Sequence, residues 1–475
     1  MKKLTRSNIE ALPNKPIKIV QFGEGNFLRA FADWVVDIMN ERIGFNAGVA
    51  VVQPIETGLV ELLQRQDGLY HHLMMGMSSG ERIRKFRLIS CIQHTVNPFQ
   101  DKHAFWELAA GDDLEIVISN TTEAGIVFDE SDLPKKGVLA HTFPGKLTQF
   151  LVHRFDHFDG DPTKGVIFLP CELIDRNGDK LKQAILDYCH LWRLSRAFVH
   201  WIENYNYFGN TLVDRIVPGY PRNEIDDLVN EIGFEDKLLV SSEVFHLWVI
   251  EGDKELQKRF PADRAGLNVK FVDDQMPYRT RKVRILNGIH TSMVSIGLNT
   301  ELETVKKSIE HPLFGAFYKK LIKEEILPTI DLTEDERNSF ASEVIERFQN
   351  PFIRHELSSI SLNSISKFKV RGLPIILDYI GRFRKAPPKL SLVFAGLIHL
   401  YISQAASRKL KDNPGYIEFF TKIADRENHV FETLKNGDLW GSDLTQNKVL
   451  FSEVQQQYSQ IQSIGIGKAI EQMLK

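Results

Sequence analysis

The sequence predicts an α/β protein in two parts: a doubly wound sheet domain, then a mostly α-helical domain. Three observations support this. Short apolar runs rich in β-branched residues alternate with helix-length segments in the first half. A glycine turn joins the first run to an amphipathic stretch, and strand-like runs almost disappear after about Asp273. A chain of 475 residues also suits two domains better than one.

The runs are Ile17 to Phe22, Ala47 to Gln53, Leu114 to Ser119 and Val166 to Leu169. They are continuously apolar, as expected for a parallel sheet covered on both faces. In the second half, Val305 to Ile326, Ser342 to Arg347 and Leu390 to Ala405 show helical periodicity, and Pro387-Pro388 marks a loop between helices. The boundary is placed between Val272 and Pro277, giving residues 1–272 to the sheet domain and 273–475 to the helical domain.

Composition excludes several classes of function. With 43% apolar residues, 25% charged residues and a net charge of −3, the chain has a globular makeup and no electrostatic case for binding nucleic acid or an anionic membrane. No run is long and apolar enough for a membrane span, and no apolar h-region follows the basic N-terminus. Cys91, Cys171 and Cys189 lack paired spacing, which argues against a disulfide framework or zinc site and makes a reducing cytoplasm the expected location. His153 and His157 have a spacing that permits a metal pair, but a solvated helix end is the preferred reading, so no metal is expected. Oligomeric state leaves no mark in the sequence.

The N-terminal turn is the expected cofactor segment. Ile19, Val20, Gln21 and Phe22 end a strand, Gly23, Glu24 and Gly25 form a Gly-x-Gly turn, and Asn26, Phe27, Leu28, Arg29 and Ala30 open a helix. Gly23 allows the tight turn and Gly25 lets backbone approach a pyrophosphate, while the helix start directs N–H groups and its positive dipole end at the phosphates. Arg29, one turn in, is placed to reach the same anion. Ala30 stands near where the third glycine of the usual fingerprint falls. The carboxylate nearest the end of the second run is Glu56, and no arginine stands there to meet a 2′-phosphate, which favours NAD. A purely structural turn packed on the sheet is the competing reading.

Tyr278 to Ser295 is the most informative stretch. Val283, Leu286, Ile289 and Met293 recur at helical spacing, and Lys282, Asn287 and His290 then fall within an arc of roughly 140° on a regular helix. Oxidation of an alcohol needs a base for the hydroxyl proton, and a lysine desolvated beside a cofactor can be that base. An asparagine amide can donate to a developing alkoxide, and an imidazole can orient a neighbouring hydroxyl. Spacing alone leaves the bland alternative open: a solvated lysine among Arg279, Arg281 and Arg284, a turn at Asn287-Gly288, and a buried, satisfied histidine.

Together these segments resemble the polyol-specific long-chain dehydrogenase/reductase family, which includes mannitol dehydrogenases and hexuronate reductases. Lys282, Asn287 and His290 match its lysine–asparagine–histidine signature, and Gly23, Gly25, Phe27, Arg29 and Ala30 match its glycine turn. Thr122, Glu123 and Gly125 resemble its Thr-Glu-x-Gly segment. Asn210, Val213, Asp214 and Arg215 match a later element, and Ser366 and Lys367 a serine–lysine pair. The resemblance implies a metal-free NAD-dependent oxidoreductase acting on a CH–OH group of an open-chain sugar derivative. It implies a Rossmann-type N-terminal domain, a helical C-terminal domain and an active site between them. Lys282 would be the general acid/base, Asn287 an oxyanion donor and His290 a substrate-positioning residue.

Two positions depart from the polyol pattern. Leu173 stands where a second oxyanion asparagine is expected, and Arg279 where a glutamate precedes the lysine by three residues. A cation there suits a carboxylated sugar, because arginine grips carboxylate in a fork, although Arg279 facing solvent is an equal reading. The implied substrate is a sugar acid of hexuronate catabolism, with a polyol as the alternative. The carboxylate ligand is left open among Arg279, Lys367 and Arg371. A nucleotide-binding sensor without turnover, or an isomerase with tightly held NAD, would explain the glycine turn but not the complete lysine set.

Overall fold

The computed structural model describes residues 2–9, 12–78, 80–121, 125–134, 137–404 and 410–475. The chain divides into two compact units, Met1–Gln275 and Met276–Lys475.

The first unit is built on a six-stranded sheet. Strands are numbered β1 (Ile17–Phe22), β2 (Gly48–Val52), β3 (Tyr70–Ser78), β4 (Glu81–Ile89), β5 (Ile92–Val96), β6 (Ile116–Ser119), β7 (Ile167–Pro170) and β8 (Tyr207–Phe208). The order β5-β2-β1-β6-β7-β8 is parallel throughout, so the strands of this sheet run 3-2-1-4-5-6, the Rossmann arrangement. Pleating explains why the runs are apolar throughout. Ile19, Val49, Val51, Ile116 and Ile118 point into one core, and Val20, Phe22, Ala50, Val52 and Val117 into the other.

Two three-stranded sheets, besides a two-stranded pairing of Lys2–Lys3 with Phe234–Glu235, accompany this core. The β3–β4 hairpin is antiparallel, and β3 also pairs in parallel with β10 (Val240–Ser242), after β9 (Thr211–Asp214) in the chain. β9 pairs with β11 (Leu247–Glu251), which pairs with β12 (Val269–Val272). The hairpin's exposed face alternates charge with half-buried residues, so it gave no continuous apolar signal.

The helices that matter for the site are α1 (Asn26–Ala30), α2 (Ala32–Ile43) and α3 (Phe143–His157) in the first unit. In the second they are α4 (Met276–Lys282), α5 (Gly288–Gly297), α6 (Glu334–Phe348), α7 (Ser364–Arg371), α8 (Pro388–Gln404) and α9 (Lys448–Ile464). The apolar pattern from Val305 to Ile326 is not one helix. It breaks at His311, before Pro312, and ends in a π-helical turn, Ile322–Ile326. That turn carries Glu325, whose carboxylate accepts the backbone N–H groups of Lys389 (2.9 Å) and Leu390 (2.8 Å) and so caps α8, a helix that Pro388 begins. α8 packs on α9 and α5; a methyl group built at Gly396 would stand 3.3 Å from the Ser295 carbonyl, so the glycine sets how closely α8 and α5 approach.

Fully buried Arg154 on α3 fastens the connection into β6. Its guanidinium donates to the carbonyls of Lys164 (2.8 Å), Ala109 (2.9 Å), Gly111 (2.9 Å) and Leu114 (3.1 Å). Arg154→Met should leave those carbonyls short of donors and lower unfolding free energy by about 3 kcal/mol or more, read as a drop in urea midpoint. A change under about 0.5 kcal/mol would refute that role.

Candidate active site

The glycine turn lies at the carboxyl end of β1, with β2 and β6 on either side. Gly23 has φ 122°, and a Cβ there would meet the Asn120 carbonyl and the Leu28 side chain at 3.1 Å, so glycine is needed. Gly25 precedes α1, and a Cβ built on it meets nothing within 4 Å. Open space in front of this backbone, at the start of a helix with no side-chain cap, fits a pyrophosphate.

The expected cofactor segment divides by exposure. Ile19, Val20, Phe22, Leu28 and Ala30 are core residues that fix the turn from beneath. Gly25 and Asn26 are exposed, and Phe27 is half-buried and stacked on Phe31. Arg29 is turned inward: its guanidinium donates to the carbonyls of Glu24 (3.1 Å) and Leu238 and to Asn26 Oδ1 (2.7 Å), and lies over the Tyr70 ring. It holds the loop's shape, with its charged group committed to protein carbonyls.

The helix after the turn is interrupted at Phe31 (φ −126°, ψ −75°). The carbonyls of Arg29 and Ala30 accept side-chain donors here, Tyr70 Oη at 2.8 Å and Arg215 Nη1 at 2.8 Å. Such insertion breaks a helix at a defined point. Arg215, from the family-like element after β9, therefore serves the nucleotide turn, and burial lowers its pKa to about 9. Beneath the turn, Gln21 Nε2 donates to the Gly23 carbonyl (3.0 Å) and to Asp33 Oδ2 (3.4 Å), and Tyr70 Oη lies 3.0 Å from the same carboxyl oxygen. Burial pushes the Asp33 carboxyl up to about 7. Neither Gln21 nor Asp33 had been singled out for this support; the signal was a polar residue in an otherwise apolar strand and an acid on a buried helix face.

Glu172, next to the departure at Leu173, also acts as a support. Its carboxylate accepts from Ser119 Oγ, Thr121 N and Thr121 Oγ1, all at 3.0 Å, which fixes the chain leaving β6. Thr122 and Glu123 lie outside the described residues. Leu173 itself is 59% exposed. Among the candidates set aside, His153 rests on the Trp106 ring.

In the second unit, the lysine segment is helical throughout but not regular. Between α4 and α5 lies a π-helical turn, Val283–Asn287, bounded by Lys282 and Gly288. In such a turn each residue advances about 80° instead of about 100°. Five such steps place Asn287 about 40° from Lys282, and three α-helical steps return His290 to about 20° on the other side of the lysine's direction. The arc narrows from roughly 140° to roughly 60°, so the inserted turn aligns the three residues better than a regular helix would. Ile285, Leu286, Ile289 and Met293 of the same segment are buried in the core. Lys282 and Asn287 are half-buried, whereas His290 is buried, its ring 4.7 Å from Phe348 and 4.9 Å from His355.

The three basic candidates are all half-buried. Arg279 lies on α4. Lys367 and Arg371 are one turn apart on α7, where Lys367 Nζ donates to the Ile360 carbonyl (2.7 Å) and burial, then the Arg371 charge, lowers its pKa. α7 packs beside the lysine segment: the Arg371 carbonyl is 4.0 Å from a Cβ built on Gly288.

Asp33 yields a stability test. Folding raises its pKa from 3.8 to about 7, so the folded chain keeps a proton that the unfolded chain releases between those values. Its contribution to stability therefore falls as pH rises from about 4 to about 7 and is level above. Asp33→Asn should shrink the loss of urea midpoint between about pH 5 and about pH 8; an unchanged loss would exclude Asp33 as its source.

Comparison with known proteins extends this geometry. Residues 17–263 match the model of the mannitol dehydrogenase Rossmann domain, and residues 274–462 that of the mannitol dehydrogenase C-terminal domain. The chain is 42% identical over 481 residues to an altronate oxidoreductase of Bacillus subtilis, covering 99% of this chain and 98% of that protein. It is 40% identical over 480 residues to an altronate oxidoreductase of Bacteroides thetaiotaomicron, covering 98% and 99%. Two solved structures share the fold. One is D-sorbitol dehydrogenase in substrate-free form, with a TM-score of 0.82 and 22% identity over 98% of this chain and 100% of that one. The other is Pseudomonas fluorescens mannitol 2-dehydrogenase in ternary complex with NAD and D-mannitol, with a TM-score of 0.71 and 21% identity over 99% of both chains. With both of its halves and nearly its full length matched, the chain belongs to the mannitol dehydrogenase family.

Proposed function

We propose that this chain is an NAD-dependent altronate oxidoreductase that interconverts D-altronate and D-tagaturonate in hexuronate breakdown. The observation that carries the chemistry is the π-helical turn aligning Lys282, Asn287 and His290. The substrate follows from the altronate oxidoreductases to which nearly the whole chain is similar.

The cofactor, when bound, supplies the hydride acceptor for oxidation and the donor for reduction. Gly23 to Asn26 would hold its pyrophosphate, with Gly25 leaving the backbone open. Lys282 Nζ takes the hydroxyl proton of the alcohol and returns it in the reverse direction. The Asn287 amide donates to the same oxygen as negative charge develops on it. His290, held between Phe348 and His355, fixes a neighbouring hydroxyl of the sugar chain. Arg279, Lys367 and Arg371 are the candidate ligands of a substrate carboxylate, the group that distinguishes a sugar acid from a polyol. The buried free thiols of Cys91, Cys171 and Cys189 suit a reducing cytoplasm.

NADH consumption with tagaturonate, fructuronate and fructose, offered separately, tests the assignment. Selective turnover of tagaturonate is expected, and Lys282→Ala should reduce it by about 10²–10⁴-fold. Turnover of fructose or fructuronate instead would overturn the substrate, and no oxidation of NADH with any of them would overturn the reaction.

A further inference from the structure

We infer that Glu24, between the two glycines of the turn, is the carboxylate that binds the adenosine ribose of the dinucleotide and sets the preference for NAD over NADP. The inference rests on the dinucleotide reading above and deepens it.

In a 3-2-1-4-5-6 sheet, the ribose lies at the carboxyl end of the second strand, where an acidic side chain accepts from its 2′-hydroxyl. Here β2 ends at Val52, and the residues that follow it do not supply that acid. Gln53 is buried and folded back on its own loop: Nε2 donates to the carbonyls of Ile55 (2.9 Å) and Glu56 (3.0 Å), and Oε1 accepts from Val60 N (3.4 Å). Glu56, the acid suggested by position in the sequence, is exposed, and its contact with Gln53 is through its backbone.

The carboxylate that reaches this loop comes from the turn. Glu24 is 7% exposed, and its Oε1 accepts from the Leu59 N–H at 3.3 Å. It lies directly over Gly58, where an added Cβ would stand 2.0 Å from Glu24 Oε1 and 2.6 Å from Gln53 Cδ. Glycine at 58 is therefore what lets the carboxylate occupy the loop. The geometry places one acid between the turn that meets the phosphates and the loop that follows the second strand. The Leu59 N–H and Glu24's own N–H are the backbone donors to this carboxylate, and the further acceptor sites of its two oxygens can take a ribose hydroxyl.

The charges give the same sense. Burial raises the Glu24 pKa, and the nearby Arg29 guanidinium donates to the Glu24 carbonyl, not to its carboxylate. A ribose diol supplies hydrogen-bond donors to such a group, whereas a 2′-phosphate would set like charges together in a poorly solvated site. Residues 53–60 contain no arginine or lysine to offset that repulsion.

Isothermal titration of the full-length protein with NAD⁺ and NADP⁺ tests this without turnover. The wild type should bind NAD⁺ more tightly. Glu24→Gln keeps an acceptor for Leu59 N–H, so its melting temperature should hold, while NAD⁺ affinity falls at least about tenfold and the preference over NADP⁺ narrows by a similar factor. Gly58→Ala, which displaces the carboxylate without removing it, should shift the preference in the same direction. Unchanged affinities in Glu24→Gln, equal weakening of both nucleotides, or a wild type that binds NADP⁺ as tightly as NAD⁺ would each overturn the assignment. A wild type that binds neither would overturn the dinucleotide reading with it. Failure to oxidise altronate bears on the proposed substrate alone, because these affinities are read without it.

Discussion

The nucleotide turn depends on a helix that is deliberately interrupted. At Phe31 the carbonyls of Arg29 and Ala30 accept Tyr70 and Arg215, side chains from a hairpin strand and from the segment after β9. The short helix left in front of the break carries Gly25 and Asn26 at its exposed start, while Gln21 and Arg29 hold the carbonyls of Gly23 and Glu24 from below. Buried polar groups of this kind are costly unless they are paired, so the network stabilises one loop shape rather than several. The smaller sheets have a clear purpose in this light, since β3 supplies Tyr70 and the chain leaving β9 supplies Arg215.

The second unit solves a different problem with a different irregularity. A regular helix spreads Lys282, Asn287 and His290 over an arc of roughly 140°. One wide turn narrows that spread, and packing keeps the turn in place. The apolar side of α5 is buried, Gly288 lets Ile375 approach, and Gly396 lets α8 lie close to the Ser295 carbonyl. π turns weaken the local hydrogen-bond ladder, so their survival reflects the surrounding tertiary contacts. The second such turn, at Ile322–Ile326, directs Glu325 at the start of α8 and so supports the same helix from its other end.

Much of this was legible before any coordinates. The runs at Ile17, Ala47, Leu114 and Val166 are strands of one parallel sheet, because burial on both faces demands apolar residues at every position. The second strand of the hairpin, Glu81–Ile89, was not legible, since a strand with one solvated face mixes charge with apolar residues. Helix breaks at Phe31 and in the lysine segment escaped notice as well. Neither contains proline, and both are imposed by groups distant in sequence or by packing.

The sequence by itself determined the fold class and the glycine turn, because both follow from local periodicity or short spacing, whereas the lysine set stood out only by resemblance to a family, since its spacing also suits a solvated helix face. Tertiary structure decided how those residues are used. It turned Arg29 away from the anion it was expected to meet and into the protein, and it brought Tyr70 and Arg215 to the helix break. It also carried Glu24 across to a loop thirty-five positions later in the chain. A carboxylate's partner depends on which groups are close in space after the sheet has formed, and no spacing along the chain encodes that distance.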